Sequence, residues 1–355
     1  MAFLKIAFIL PGLGFGGAER VVCHLANAMA EQHSVSIITT EPVSNPAYSL
    51  YKNIELLSPP AGLSTVKVWL AVRKLCKTAK PDVVIAFMMD MGILTSLFLC
   101  GTGIPVITSE RNDPFVERKE AGAVMRLLGR ISSLFTAWYV FQSEGAKSYY
   151  SKRIQKKSSI ILNPLEVEKL PQADRSCTDH RIVSVGRLYA QKNQTMLIKA
   201  FAASTAPQAH TLHIYGDGPL RGELEALISK LGMGDKVFLE GNSKRIYEDI
   251  KNAKLFAFTS DREGLPNALM EAMAIGVPCV STDCSPGGAR MLIQNGENGT
   301  LIPCGDTAAL AAAFDELLAD EARLAKFSAN GQKLRETVCL ETITNRWLEC
   351  ISQVI

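Results

Sequence analysis

The stretch Leu255–Pro278, LFAFTSDREGLPNALMEAMAIGVP, predicts a strand, a loop and a helix in immediate succession. Its first five residues, four of them apolar and the fifth a threonine, suit a strand buried on both faces of a parallel sheet. A polar, glycine-containing loop follows, and Pro266 suits the first position of a helix because its missing N–H would have no partner there. Residues 267–275 are strong helix formers, and Gly276 with Pro278 ends the helix.

Two carboxylates in this stretch are candidates for ligand binding. Glu263 lies in the loop, at the carboxyl end of the predicted strand, where ligands bind in open α/β sheets. Glu271 lies inside the predicted helix, whose start directs N–H groups and a positive pole into the same space. A loop carboxylate beside such donors suits sugar hydroxyls. The alternative is that both are ordinary solvent-exposed acids, and their spacing alone does not exclude it.

The wider pattern of this stretch resembles a known signature. The run EGLP at 263–266, Glu271 and the run GVP at 276–278 resemble the Glu-x7-Glu motif of retaining glycosyltransferases of family 4. Within that family the chain looks most like bacterial enzymes of lipid-linked oligosaccharide and surface polysaccharide synthesis. The resemblance implies the α/β fold called GT-B. This fold has two Rossmann-like parallel-sheet domains that face each other across a cleft, and a C-terminal helix that crosses back to the first domain.

The domain boundaries follow from the resemblance and from composition. A chain of 355 residues is long enough for two domains. We expect an N-terminal acceptor-binding domain over residues 1–165 and a nucleotide-sugar-binding domain over 179–335. Residues 166–178, with a proline and many polar side chains, are the expected linker. Residues 336–355 are expected to form the helix that packs on the N-terminal domain.

Bulk composition is typical of a soluble globular protein, with 47% hydrophobic and 21% charged residues. Nine cysteines without a Cys-x-x-Cys pair favour reduced thiols in the cytosol over disulfides or a zinc site. The apolar run 2–10 is cut short by Pro11 and Gly12, so we expect a buried strand rather than a signal peptide. The uncharged stretch 91–109 contains glycine and proline, which predicts a helix, a turn and a strand rather than a membrane span.

The glycine-rich turn after the first predicted strand has two interpretations. Residues 12–17, GLGFGG, fit the dinucleotide fingerprint G-x-G-x-x-G, which is typical of NAD(P)-dependent oxidoreductases. The acid that such a site needs after the second strand would be Glu41, which comes slightly late. The run 16–19 instead resembles the Gly-Gly-x-Glu opening of the glycosyltransferase family. That resemblance implies that Gly16 and Gly17 let the backbone approach the donor phosphates.

The run Ser109–Pro114, SERNDP, follows a predicted strand and therefore lies at the carboxyl edge of the first sheet. It resembles family members that act on lipid-linked acceptors and lack the histidine that others carry nearby. Glu110, Arg111 and Asn112 are therefore predicted to bind the acceptor, with Arg111 paired to its diphosphate. The alternative is a local salt bridge between Glu110 and Arg111.

Charge is unevenly distributed along the chain. Residues 1–165 contain 18 basic and 11 acidic residues, a balance of +7, whereas the remainder contains 20 basic and 24 acidic residues, a balance of −4. A basic helix at 64–80 and the segment 115–157, where basic residues are interleaved with leucine and aromatic residues, suit peripheral contact with an anionic membrane. Solvated helix faces are the alternative. A nucleic-acid partner is not expected, because no nucleic-acid-binding motif is present. The cysteines and the basic segments together predict a cytoplasmic protein attached peripherally to the inner face of the cell membrane.

The second half of the chain carries the residues that the resemblance makes catalytic. Arg187 and Lys192 match the family's Gly-Arg-Leu…Lys run and would stabilise the diphosphate leaving group without a metal. Glu263 would orient the hydroxyls of the donor sugar, and Glu271 those of the ribose. Together with Gly16 and Gly17, the predicted donor-binding residues are Gly216, Asn242, Ile246, Gly264, Leu265, Pro266, Asn267 and Glu271.

The resemblance implies transfer of a sugar, a hexose or N-acetylhexosamine, from a UDP-sugar with retention at the anomeric carbon. The expected acceptor is a polyprenyl-diphosphate-linked saccharide used in polysaccharide or glycan synthesis. No metal and no other cofactor is expected. A nucleotide-sugar epimerase of GT-B fold and an NAD(P)-dependent oxidoreductase remain the alternatives. The sequence leaves the identity of the sugar, the linkage and the oligomeric state open.

Overall fold

A computed structural model describes residues 2–43 and 45–355 of the chain. They form two units, one from Met1–Pro164 together with Val338–Ile355, and one from Leu165–Thr337. Each unit contains one parallel sheet with helices, so the predicted α/β class with two parallel-sheet domains is confirmed.

Seven strands form the sheet of the first unit in the part of the chain that the structure describes. They are β1 (Lys5–Leu10), β2 (Ser34–Thr39), β3 (Glu55–Leu57), β4 (Val83–Phe87), β5 (Val106–Ser109), β6 (Trp138–Phe141) and β7 (Ser158–Ile160). Their order is β3-β2-β1-β4-β5-β6-β7, and all neighbours are parallel. From β1 the chain first adds strands on one side of the sheet, β2 and β3, and then on the other, starting with β4. Ligands of such sheets bind at the carboxyl ends of the strands near this switch between β1 and β4.

Helices connect these strands. They are α1 (Gly17–Met29), α2 (Thr65–Ala79), α3 (Met89–Phe98), α4 (Pro114–Glu120), α5 (Ala123–Ser132), α6 (Glu144–Ser148) and α7 (Lys152–Lys156). The uncharged stretch 91–109 is largely α3, a turn and β5, as predicted. Within residues 2–43 and 45–355, no helix is both long and apolar enough to cross a bilayer.

The described residues of the second unit form six strands and seven helices, α14 continuing into Val338. The strands are β8 (Arg181–Val185), β9 (Thr211–Tyr215), β10 (Val237–Gly241), β11 (Leu255–Phe258), β12 (Cys279–Thr282) and β13 (Thr300–Ile302). The helices are α8 (Gln194–Ala203), α9 (Arg221–Lys230), α10 (Ile246–Ile250), α11 (Asn267–Ile275), α12 (Thr307–Leu318), α13 (Glu321–Gln332) and α14 (Leu334–Val338). The strands are parallel in the order β10-β9-β8-β11-β12-β13.

The decisive stretch folds as predicted, with small differences at its boundaries. Strand β11 ends at Phe258, and α11 begins at Asn267. Pro266 caps the helix rather than opening it, because its ψ of 94° is extended. Gly276 adopts a left-handed φ of 100° and its N–H donates to the carbonyl of Ala272, which ends the helix as expected.

The segment predicted as the linker, residues 166–178, belongs to the second unit and is hydrogen-bonded to it. The N–H of Ala173 donates to the carbonyl of Ile275 at 2.8 Å, and Arg175 donates to the carbonyl of Ala253 at 2.9 Å. Short 3-10 helices lie at Val167–Lys169 and Arg175–Cys177, and further ones at Ala190–Lys192, Ala206–Gln208 and Ala289–Met291.

The C-terminal helix α15 (Leu340–Ser352) belongs to the first unit. Its Trp347 is fully buried and stacks on Phe87 of β4, with 5.7 Å between ring centroids. Buried aromatic pairs of this kind stabilise a core by more than the burial of their apolar surface alone would. Helix α15 is therefore part of the core of the first unit.

Gly276→Ala is expected to destabilise the second unit by about 1–3 kcal/mol. The left-handed φ of 100° disfavours any side chain, and a Cβ would lie 2.4 Å from Nε2 of Gln332. Thermal unfolding followed by circular dichroism measures the effect. The control is Gly234→Ala, because a Cβ at Gly234 meets nothing within 4 Å. Equal melting temperatures for the two variants would contradict the prediction.

Candidate active site

The predicted site residues of the second unit lie along one edge of its sheet. Arg187 follows β8, Gly216 follows β9, Asn242 follows β10, and Glu263 lies in the loop after β11. Because all six strands are parallel, their carboxyl ends reach the same edge. This edge is where open α/β sheets bind ligands.

The carboxylate of Glu263 is held by several donors. Its Oε1 accepts hydrogen bonds from the ammonium of Lys192, from Nε2 of Gln191 at 3.2 Å and from Oγ of Ser260 at 3.3 Å. The Glu263 N–H donates to the carbonyl of Ser285 at 2.9 Å. The Lys192 and Glu263 side chains are only 19% and 15% exposed. The ion pair that they form therefore has a defined orientation within the edge of the sheet.

Lys192 is positioned by the elements around it. Its carbonyl accepts a hydrogen bond from Oγ1 of Thr259 at 3.0 Å, and its ammonium lies 5.5 Å from the centroid of the Phe258 ring. Its Cδ lies 3.4 Å from the point where a Cβ on Gly186 would be. The lysine stem therefore runs along the glycine turn that follows β8.

Glycines let the loops at this edge approach each other. Gly216 has a φ of 130°, and a Cβ there would lie 2.1 Å from the carbonyl oxygen of Gly186. A Cβ on Gly218 would lie 2.5 Å from the carbonyl oxygen of Leu188. The loops after β8 and β9 are thus packed backbone against backbone, which explains the need for glycine at position 216. Its predicted contact with the donor stays a prediction.

Sequence analysis did not identify Gly288 as part of this site. A Cβ there would lie 2.2 Å from the carbonyl oxygen of Gly264, in the loop that carries Glu263. The loop after β12 therefore supports the loop after β11 by direct backbone contact. The only signal in the sequence was the pair Gly287-Gly288 in the loop between β12 and β13. Gln191 and Ser260, which also contact Glu263, were missed for lack of any signal beyond their position.

The remaining predicted donor-binding residues differ in exposure. Glu271 is only 8% exposed in α11, so the alternative of a solvent-exposed acid is wrong for this residue. Arg187 is exposed, with its guanidinium carbon 5.0 Å from the centroid of the Tyr189 ring. Gly264, Leu265 and Pro266 are buried, Asn267 and Ile246 are half-buried, and Asn242 is exposed.

In the first unit, Gly16 and Gly17 lie at the start of α1, at the end of the turn that connects β1 to this helix. A Cβ on Gly16 would lie 2.1 Å from Oε2 of Glu19, and the hydroxyl of Tyr48 donates to the Gly16 carbonyl at 3.2 Å. The glycine at position 16 therefore leaves room for the Glu19 carboxylate at the helix start.

Glu110, the first residue after β5, is a buried carboxyl group. Its Oε2 accepts from the Tyr150 hydroxyl at 2.8 Å, and its Oε1 accepts from the N–H groups of Arg111 and Asn112 at 2.9 and 3.2 Å. Burial and the nearby Glu117 carboxylate raise its pKa to about 7. The hydrogen-bond partners of the Glu110 carboxyl are thus the Tyr150 hydroxyl and two backbone N–H groups. The salt bridge to the Arg111 side chain, which was the alternative from the sequence, is not among them.

The Arg111 guanidinium lies inside the first unit. It is 4.3 Å from the centroid of the Phe87 ring and 5.6 Å from that of Trp347, and it donates to Oδ1 of Asn163 at 2.8 Å. Burial lowers its pKa to about 9. Of the three residues predicted to bind the acceptor, only Asn112 is exposed.

Two family profiles match consecutive parts of the chain. The first, "Glycosyltransferase Family 4", covers residues 15–169, and the second, "Glycosyl transferases group 1", covers residues 168–334. The chain is also 30% identical, over 99% of both chains, to a Campylobacter jejuni protein. That protein is named GalNAc-alpha-(1->4)-GalNAc-alpha-(1->3)-diNAcBac-PP-undecaprenol alpha-1,4-N-acetyl-D-galactosaminyltransferase. The chain belongs to the family 4 glycosyltransferases.

Further comparisons agree with this glycosyltransferase assignment. The enzyme is 27% identical to a second C. jejuni protein, N-acetylgalactosamine-N,N'-diacetylbacillosaminyl-diphospho-undecaprenol 4-alpha-N-acetylgalactosaminyltransferase, over 93% of this chain and 94% of that protein. The assignment rules against the oxidoreductase interpretation of the glycine motif at 12–17.

Solved structures confirm the GT-B fold of this glycosyltransferase. Anabaena HepE in complex with UDP matches with a TM-score of 0.82 at 19% identity, over 98% of this chain and 100% of that chain. The apo lipopolysaccharide outer core galactosyltransferase WaaB matches with a TM-score of 0.81 at 20% identity, over 99% and 100%. At such identities the likeness shows the fold alone.

Glu110→Gln is expected to stabilise the glycosyltransferase at pH 8 by about 3 kcal/mol. In the unfolded chain the carboxyl ionises near its ordinary pKa of 4.5, but in the folded protein its pKa is about 7. Folding therefore disfavours ionisation of Glu110, and the free energy of unfolding of the wild-type protein rises as pH falls from about 8 to about 5. Glutamine cannot ionise, and the advantage of the variant should vanish towards pH 5.

Melting temperatures of both proteins at about pH 5 and pH 8 measure this effect. The matched control is Glu31→Gln, at an exposed position of the same unit. A difference between wild type and Glu110→Gln that is the same at both pH values would contradict the prediction.

Proposed function

We propose that this glycosyltransferase moves a hexose or N-acetylhexosamine from a UDP-sugar to a polyprenyl-diphosphate-linked saccharide, with retention at the anomeric carbon. The observation that carries the proposal is the largely buried Lys192–Glu263 pair at the carboxyl edge of the second sheet. This pair combines a cation for a diphosphate with a carboxylate for sugar hydroxyls. Support for the donor comes from HepE, whose fold is the same and which is described in complexes with UDP and UDP-glucose.

Transfer of the sugar is faster when cations lie near the leaving group. As the bond between the anomeric carbon and the UDP oxygen breaks, negative charge develops on the diphosphate. Lys192 is held in place by Glu263 before any donor arrives, and the exposed Arg187 adds a second positive charge. Two such cations stabilise the charge without a metal ion. We therefore propose that the reaction needs no metal and no other cofactor.

Glu263 would orient the donor sugar. Within the part of the chain that the structure describes, its side-chain hydrogen bonds converge on Oε1. We assign Oε2 to a hydroxyl of the sugar. Glu271, buried in α11, would bind the ribose hydroxyls.

Retention would follow from attack on the same face. The acceptor oxygen forms its bond to the anomeric carbon on the side from which UDP departs. The acceptor proton passes to the departing phosphate oxygen, so charge and atoms balance without a covalent intermediate on the protein. The protein then contributes by positioning the reactants and by stabilising the developing charge, and these two effects supply much of the rate acceleration in many transfer reactions.

The lipid-linked acceptor is supported by the relatives. Both C. jejuni proteins carry undecaprenol with a diphosphate linkage in their names. In the first unit, α5 exposes Val124, Leu127 and Ile131 beside the exposed Arg126 and Arg130. A helix with exposed apolar and basic residues suits the interface of an anionic membrane. We propose peripheral attachment to the inner face of the cell membrane, close to such an acceptor.

The test is a screen of radiolabelled sugar nucleotides with a polyprenyl-diphosphate-linked saccharide, in the presence of EDTA. Label from one UDP-sugar should pass into the organic phase, and nuclear magnetic resonance of the product should show the retained anomeric configuration. A changed sugar nucleotide without acceptor would instead support the epimerase. Transfer that EDTA abolishes would overturn the metal-independent mechanism.

Lys192→Ala is expected to lower kcat by about 100-fold or more, with a smaller change in donor KM. The ammonium contributes most when charge has developed on the leaving group. Steady-state kinetics with the identified donor measures both constants. Lys199→Ala, at an exposed position of the neighbouring α8, is the matched control and should behave as wild type. A kcat close to that of the wild type in Lys192→Ala would remove Lys192 from the mechanism.

A further inference from the structure

A cavity of about 310 Å³ lies in the first unit, at the carboxyl ends of β4 and β5. It is enclosed by the start of α3, by α4 and by the start of α5. The volume is at the lower end of the range for small-ligand sites, and the position is the one that open α/β sheets use for ligands.

Two carboxyl groups and their supports form the polar part of this cavity. Glu110 is fixed by the Tyr150 hydroxyl and by backbone N–H groups, and Glu117 accepts a hydrogen bond from the amide of Asn112. Burial raises the pKa of both carboxyls. Glu110, whose pKa is about 7, can therefore donate as well as accept a hydrogen bond near neutral pH. Sugar hydroxyls also do both, so the match in chemistry is close.

The walls of the cavity are apolar and adaptable. Met88, Met89, Ile93 and Met125 line it. Methionine side chains fill irregular gaps and would follow the C–H face of a sugar ring. Met88 has a φ of 76° and a ψ of 146°, a conformation that is largely confined to glycine and costs about 1–3 kcal/mol. The chain thus holds a methionine at the cavity wall where glycine would be less strained.

The charges argue against a diphosphate in this cavity. Four acidic side chains line it, Asp90, Glu110, Glu117 and Glu120, against two arginines, Arg118 and Arg126. The guanidinium of Arg118 also lies over the Tyr150 ring, with 5.6 Å between its central carbon and the ring centroid. Arg111, the cation that sequence analysis assigned to the diphosphate, is stacked on Phe87 and does not line the cavity.

We propose that this cavity binds the terminal sugar of the acceptor, with its hydroxyls on Glu110 and Glu117 and its apolar face on Met88 and Met125. The inference rests on the proposed function, and it assigns the saccharide rather than the diphosphate of the acceptor to this site.

Methionine methyl resonances in 13C-labelled protein test binding directly. The probes are methyl glycosides of hexoses and N-acetylhexosamines, compared with inorganic pyrophosphate. We expect one or more sugars to shift the methyl signals of Met88, Met89 and Met125, and pyrophosphate to leave them unchanged. Shifts with pyrophosphate, or none with any sugar at high millimolar concentration, would overturn the inference.

A titration of the same sample with UDP separates this inference from the proposed function. Met270 and Met273 flank Glu271 in α11 and report on the second unit. If UDP shifts these signals but no sugar shifts those of the cavity, the inference fails while the proposed donor site stands. If sugars shift the cavity signals and UDP has no effect, the proposed donor site fails and the cavity remains a sugar site.

Kinetics of two variants provide a second test. Met88→Gly removes part of the wall but relieves the positive φ, so it should remain folded. Glu117→Gln keeps the shape of the side chain and replaces its carboxyl group by an amide. Each should raise the acceptor KM about tenfold, with a smaller effect on kcat. Glu144→Gln, at an exposed position in the same unit, is the control. An unchanged acceptor KM in both variants would overturn the inference.

Discussion

Parallel pairing of the strands is the constraint on which both units depend. In a parallel sheet every strand ends at the same edge, and each crossover starts its helix beside that edge. The loops after β8, β9, β11 and β12 therefore lie close together. At Gly216 and Gly288 the neighbouring backbone leaves no room for a side chain. Lys192 and Glu263 take their positions from these contacts, because each is hydrogen-bonded by a neighbouring loop.

The parts of the structure that sequence predicted are those determined by local signals. Strand β11, its loop and α11 lie within one stretch whose periodicity, proline and glycine specify them. The environment of Glu110 depends instead on Tyr150, forty positions away, and the burial of Arg111 depends on Trp347 in the C-terminal helix. No local pattern indicates which distant aromatic ring will cover a loop. The resemblance to a family identified the edge, but it could not show which side chains there are buried.

The two units present different chemistry at the ends of their strands. In the second unit, a lysine is already ordered by a carboxylate, so less side-chain entropy is lost when an anion binds. In the first unit, two carboxyls with raised pKa lie among methionines in a small cavity. The first arrangement suits a diphosphate and the second suits neutral hydroxyls. This division matches a reaction in which one partner leaves as an anion and the other attacks through an oxygen.

The stacking of Trp347 on Phe87 has a consequence for synthesis on the ribosome. The first unit is interrupted in sequence by the whole of the second, and its core lacks α15 until residues 340–352 have been made. Domains generally fold as units during translation, from the N-terminus onward. Here the second unit can complete its fold while the first still exposes the apolar surface around Phe87. The nascent chain is therefore most prone to aggregation after the second unit has folded and before α15 has been made, and chaperones would be of most use at that stage.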